Sequence, residues 1–110
     1  MNDKKIFKIV GVWASKAITI NGESLGPSKS QAIRNHSPNG FNWGYSGSGP
    51  SQLSLAICLE AMDEQHAMQV YHTFKEEVIA KQKQDADFSI EVDMQAYIDM
   101  AQKRLDGQNE

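Results

Sequence analysis

His36-Ser37-Pro38-Asn39-Gly40-Phe41-Asn42-Trp43-Gly44-Tyr45-Ser46-Gly47-Ser48-Gly49-Pro50-Ser51 divides the chain into two unlike parts. The stretch holds four of the eight glycines and two of the three prolines, so it reads as a loop. It also holds three of the nine aromatic residues, which a plain linker lacks. Phe41, Trp43 and Tyr45 alternate and offer large apolar area to bury, which argues for order. A loop of this length inside a compact domain is usually functional when it is ordered.

Working back from the loop, residues 1–35 read as mainly β. Ile6, Phe7, Ile9, Val10, Val12 and Trp13 are β-branched, aromatic or otherwise apolar, with no helix cap before them. Ile18-Thr19-Ile20 meets Asn21-Gly22, the strongest short hairpin signal, because both turn residues need positive φ. Gly26-Pro27-Ser28 breaks the chain, and Gln31 to Asn35 reads as a further short strand.

Working forward, residues 52–106 read as mainly α. Pro50 suits a first helical turn. Leu53, Leu55, Ala56, Ile57, Cys58, Leu59, Ala61 and Met62 are apolar nearly all round, so this helix should be buried on most sides. A second helix is expected from Gln65 to Lys83 on the stripe Ala67, Val70, Tyr71, Phe74, Val78 and Ile79. Phe88, Ile90 and Val92 alternate, which suits either a further short strand or a segment lying along the sheet's edge. Asp93 then caps a last helix, which Gly107 should end, with fraying after Asp106. The expected fold class is α+β: a small antiparallel β-sheet packed against about three α-helices, in one domain spanning residues 1–110.

Length and charge narrow the function. At 110 residues the chain suits one core. A net charge of −3 disfavours general nucleic-acid binding. Cys58 stands alone, so no internal disulfide and no cysteine-built zinc site is expected. His66 and His72 lie six apart, a poor spacing for a shared metal, and neither a metal nor a cofactor is expected. The start of the chain has too short an apolar run for a secretory signal, and no segment suits a membrane span. The expected compartment is the cytoplasm. An open sheet edge and the apolar run Ile6 to Trp13 suggest a homodimer or larger homo-oligomer.

The candidate site is the point where the loop becomes a helix. Helix starts carry free N–H donors and the positive end of the helix dipole. Gly47 and Gly49 allow close approach, and Ser46, Ser48 and Ser51 add hydroxyls. Arg34 and His36 precede the loop and supply charge, while Trp43 and Tyr45 offer flat rings for stacking. The loop lacks the Gly-Lys-Ser/Thr of a P-loop, and its glycines fall in the wrong order for a dinucleotide fingerprint.

The string from His36 to Tyr45, continuing as Ser46-Gly47-Ser48-Gly49-Pro50-Ser51-Gln52-Leu53-Ser54-Leu55-Ala56-Ile57, resembles the signature of a family of small bacterial proteins found in phages, plasmids and other mobile elements. The family is catalogued as a domain of unknown function. The likeness is looser around Asn21-Gly22 and over Tyr71, Phe74, Lys75, Val78 and Ile79. It supplies no catalytic residues and implies a bacterial or phage setting. The leading expectation is a small-ligand binder for a nucleotide-like anion, one that sequesters a defence signalling nucleotide. The alternative is a protein–protein inhibitor or adaptor acting on a host defence complex through the aromatic loop. An enzyme using His36 as a base ranks third, and no catalytic residue is assigned.

Overall fold

The computed structural model describes residues 4–108. Met1–Asp3, part of the start weighed for a secretory signal, and Asn109 and Glu110, part of the tail expected to fray, lie outside the described residues. Four strands form one antiparallel sheet: β1 (Ile6–Val12), β2 (Ala17–Ile20), β3 (Glu23–Leu25) and β4 (Phe88–Asp93). Their order is β3-β2-β1-β4. The Asn-Gly hairpin forms as read, with φ of 52° at Asn21 and 84° at Gly22. The Asn21 side chain also accepts from the Lys8 amide, at 2.9 Å.

Register puts Phe7, Ile9, Ile18, Ile20, Leu25, Phe88, Ile90 and Val92 on one face. Ile9 pairs with Ile20 and Ile90, while Gly11 pairs with Ile18 and Phe88. Gly11 is required there, because a Cβ on it would stand 2.2 Å from the Phe88 ring. The opposite face carries Lys8, Thr19, Ser24, Ser89 and Glu91 together with Ile6, Val10 and Val12, and it meets solvent, with Ile6 and Val12 exposed.

Four helices follow, one more than expected: α1 (Ser28–Ile33), α2 (Ser48–Ala61), α3 (Glu64–Phe74) and α4 (Gln95–Gln108). The strand expected over Gln31 to Asn35 is instead the end of α1 and the turn after it. Pro27 stands at the start of α1, and the Ser30 hydroxyl donates back to its carbonyl at 2.9 Å. These local bonds favour a helical turn over a strand pairing. α3 stops at Phe74 and continues as a π-helical turn, Lys75–Ile79, rather than running to Lys83. α4 runs through Gly107, and Asp93 accepts from the Gln95 amide at 3.0 Å as its expected cap.

α2 is the axis of the core. Every residue from Gly49 to Leu59 is buried, with Leu53, Leu55 and Ile57 fully so. Each such side chain contributes about 2 kcal/mol by leaving water. Among these apolar residues lies Gln52, also fully buried. Its Oε1 accepts from the His36 and Ser37 amides, at 2.7 and 2.9 Å. Its Nε2 donates to Ser30 Oγ at 2.9 Å and to the Arg34 carbonyl at 3.1 Å. One buried amide thus satisfies four partners drawn from α1 and from the segment after it.

Gln52→Ala should lower the unfolding free energy by about 3 kcal/mol, because it strands several buried polar groups at once. Urea denaturation checks this; a loss below about 0.5 kcal/mol would show that water replaces the side chain without cost.

Candidate functional site

The loop is ordered by its own buried side chains. Trp43 is fully buried; its Nε1 donates to the Ala86 carbonyl at 2.8 Å. Its ring meets Phe88 and Trp13 edge-on, with centroids 4.9 and 5.9 Å away. Phe41 is buried as well. The expectation that Trp43 stacks on a ligand is therefore corrected: the ring is committed to the core between the sheet and the 82–87 connector. Tyr45 alone of the three aromatics stays partly open, at 37% exposure.

Gly44 fixes the loop's position. Its amide donates to the Ile79 carbonyl at the end of the π turn, at 3.1 Å. Its φ is +85°, and a Cβ there would stand 2.6 Å from the Gln84 backbone, so only glycine fits. Gly47 and Gly49 also serve packing. A Cβ on Gly47 would meet the Tyr45 ring at 2.5 Å, and one on Gly49 would meet Asn42 Cβ at 2.6 Å. The room that these glycines leave is filled by the loop's own Tyr45 and Asn42, not left for a ligand's approach.

Six of the predicted site residues fall into two groups with different surroundings: Tyr45, Ser48 and Gly49 in one, Arg34, His36 and Ser46 in the other. One group faces a cleft of about 350 Å³ at the start of α2, lined by Lys16, Ser37, Asn39, Gly40, Phe41, Asn42, Tyr45, Ser48 and Gly49. α2 opens here with Gly47 in the capping position and no side-chain cap. Lys16 belongs to the β1–β2 turn and has a left-handed backbone, φ 60°. Its Nζ donates to the Trp13 carbonyl at 2.7 Å and lies 3.1 Å from the centre of the Trp13 ring. The cleft thus has one cation and no carboxylate in its lining. Ser51, expected among the ligand contacts, is buried within the helix, and its amide donates to the Gly47 carbonyl at 3.0 Å.

Arg34 and His36 form the other group, with α3. His36 Nε2 and the Tyr71 hydroxyl share a hydrogen bond of 2.8 Å. The His72 ring lies 6.1 Å from the His36 ring. Burial, then His72, Arg34 and Lys75, hold the His36 imidazole below its ordinary value. Burial, Lys75 and Arg34 do the same for His72, against the pull of Glu76. Burial pushes the Tyr71 hydroxyl up, with Arg34 opposing. Ser46 turns to this side too, donating to Glu76 at 2.6 Å. Glu76 also pairs with Lys75 at 3.3 Å.

Lys16, Gln52, Tyr71 and His72 were not picked out as site residues from the sequence. Gln52 did carry a signal: a lone amide inside an all-round apolar helix must find partners. Lys16 carried none, since its role comes from the turn that brings it to α2. No group of three or more histidine, cysteine or carboxylate side chains among the described residues is placed to hold a metal. Among the described residues no helix is long and apolar enough to cross a membrane.

A family model described as a family of unknown function (DUF6166) matches residues 11–100, a span that includes the loop and both groups. No curated protein and no solved structure matches the chain.

The two depressed histidines set the sign of a pH effect. Each binds fewer protons folded than unfolded, so their contribution is intact above 6.5 and is lost as the pH falls through that value towards the folded one. His66 acts oppositely: hydrogen bonds that its ring donates to Gln102 Oε1 and Asp63 Oδ1 raise it, so its small contribution is full below 6.5 and fades as pH rises through the folded value. Stability should therefore fall from about pH 7.5 to about pH 5.5. His72→Gln should flatten that fall and His66→Gln should steepen it. Denaturant melts of the three proteins across this range check it, and equal slopes would contradict the assignment.

Proposed function

We propose that this chain, which belongs to the DUF6166 family of unknown function, is a non-catalytic binder of a small phosphorylated ligand of the nucleotide class, held in the cleft at the start of α2. One observation carries the reading: a deeply buried helix opens without a side-chain cap onto a cleft lined by one cation and no acid. On a chain of net charge −3, such a cleft is a local reversal of sign. The helix start and the Lys16 ammonium both favour negative charge. Ser48, Asn39 and Asn42 offer polar groups, and Tyr45 offers the one remaining flat ring. The cleft's volume suits a small ligand rather than a polymer.

Binding fits this lining better than turnover does. No histidine or carboxylate lines the cleft, so it lacks a general base of ordinary strength. His36 is turned to Tyr71 on the other side of the loop. Retention without turnover suits a protein that sequesters a signalling nucleotide, the role expected from the resemblance. The alternative, an inhibitor acting through the aromatic loop, keeps only Tyr45 as an exposed anchor, since Phe41 and Trp43 are spent on the core.

Calorimetry against linear and cyclic nucleotides tests the proposal. At least one should bind tighter than millimolar, and Lys16→Gln should weaken it about tenfold, on the order of 1.4 kcal/mol. No binding across the panel, or binding indifferent to Lys16, contradicts it.

A further inference from the structure

The side of the loop turned away from the cleft carries charge chemistry of its own. Around the His36–Tyr71 hydrogen bond stand Arg34 from the segment after α1, His72 from α3, and Lys75 and Glu76 from the π turn. These are the titratable and charged groups that face the two histidines. Glu76 is the one carboxylate, and it already bonds Ser46 and Lys75. Arg34 has no carboxylate within ion-pair distance among the described residues.

The cluster is rigidly built. His36 is held at its amide by Gln52 and at its ring by Tyr71. Tyr71 is itself buried, and the His72 ring stacks on it at 4.0 Å. The exposed Arg34 side chain is anchored at its root, because its carbonyl accepts from Gln52. A guanidinium fork beside two imidazoles and an ammonium matches the oxygens of a tetrahedral dianion better than it matches a single carboxylate.

We infer that Arg34, His36, His72 and Lys75 form a second anion site, for the dianionic phosphate group of a phosphomonoester, and that filling it takes up protons on the two histidines. While the site is empty, a charge on either ring would face burial and the Arg34 and Lys75 cations. A bound dianion reverses the local sign, so both imidazoles gain proton affinity as it binds. The site shares no side chain with the cleft lining, and it stands or falls apart from the cleft proposal.

Histidine-ring NMR on the full chain tests this, by pH titration in chloride, in sulfate at matched ionic strength, and with methyl phosphate. Sulfate stays dianionic across the range and so adds no protons of its own. Sulfate should raise the proton affinity of His36 and His72 about threefold or more, and methyl phosphate should do so at lower concentration if a phosphomonoester is the fitting group. His66, already engaged by Asp63 and Gln102, is the internal control and should not move. Arg34→Gln, which leaves the carbonyl bonded to Gln52 in place, should remove the rise at both rings, and His72→Gln should reduce it at His36. Lys16→Gln should change neither ring. No rise, an equal rise at all three histidines, or a rise that survives Arg34→Gln overturns the inference. A rise with sulfate but none with methyl phosphate overturns its assignment to a phosphomonoester.

Discussion

The buried amide of Gln52 is the constraint on which the rest of the loop depends. A primary amide offers two donors and two acceptor positions, and here one residue of a dry helix uses both ends. Burying it without partners would be costly, so α2 can pass through the core at this depth only if α1 and residues 34–37 come to meet it. The chain supplies them in order: Ser30 from α1, then the Arg34 carbonyl, then two successive amides. The loop begins from a point fixed on its own helix, sixteen residues ahead of it.

From that anchor, the loop's later attachments follow along the chain. Trp43 sinks between Phe88 and Trp13, Gly44 bonds the end of the π turn, and Ser46 bonds Glu76. The loop thereby becomes a wall with two faces. One face looks to the β1–β2 turn and Lys16; the other looks to α3 and its Tyr71-His72 pair. The two anion proposals rest on different features of these faces: an uncapped helix start and one ammonium at the cleft, and side-chain cations beside two imidazoles on the α3 side.

The parts of the fold governed by local rules were legible in the sequence. Asn21-Gly22 demanded its hairpin, the all-round apolar pattern from Leu53 demanded a buried helix, and Asp93 marked the last helix start. α1 was misread because six residues are too few to display a helical period, and Ala32-Ile33-Arg34 mimics alternation. The π turn left no trace in the stripe of α3, which continues through Val78 and Ile79. The loop's identity as an ordered element was legible from its aromatics, but the direction each one faces was not. Trp43 finds its partners about thirty residues before it and forty-five after it, contacts that no local pattern encodes. The residues grouped from Arg34 to Ser51 as one candidate site divide between two surroundings for the same reason: which way a loop residue faces is decided by what packs behind it.

Amide hydrogen exchange at His36 and Ser37 tests the central claim most directly. If Gln52 holds this segment as part of the core, both amides exchange within about tenfold of the buried α2 amides, although they lie in a loop. Exchange as fast as at exposed Lys83 and Gln84 would mean that the Gln52 anchor does not hold, and with it the fixed placement of both faces.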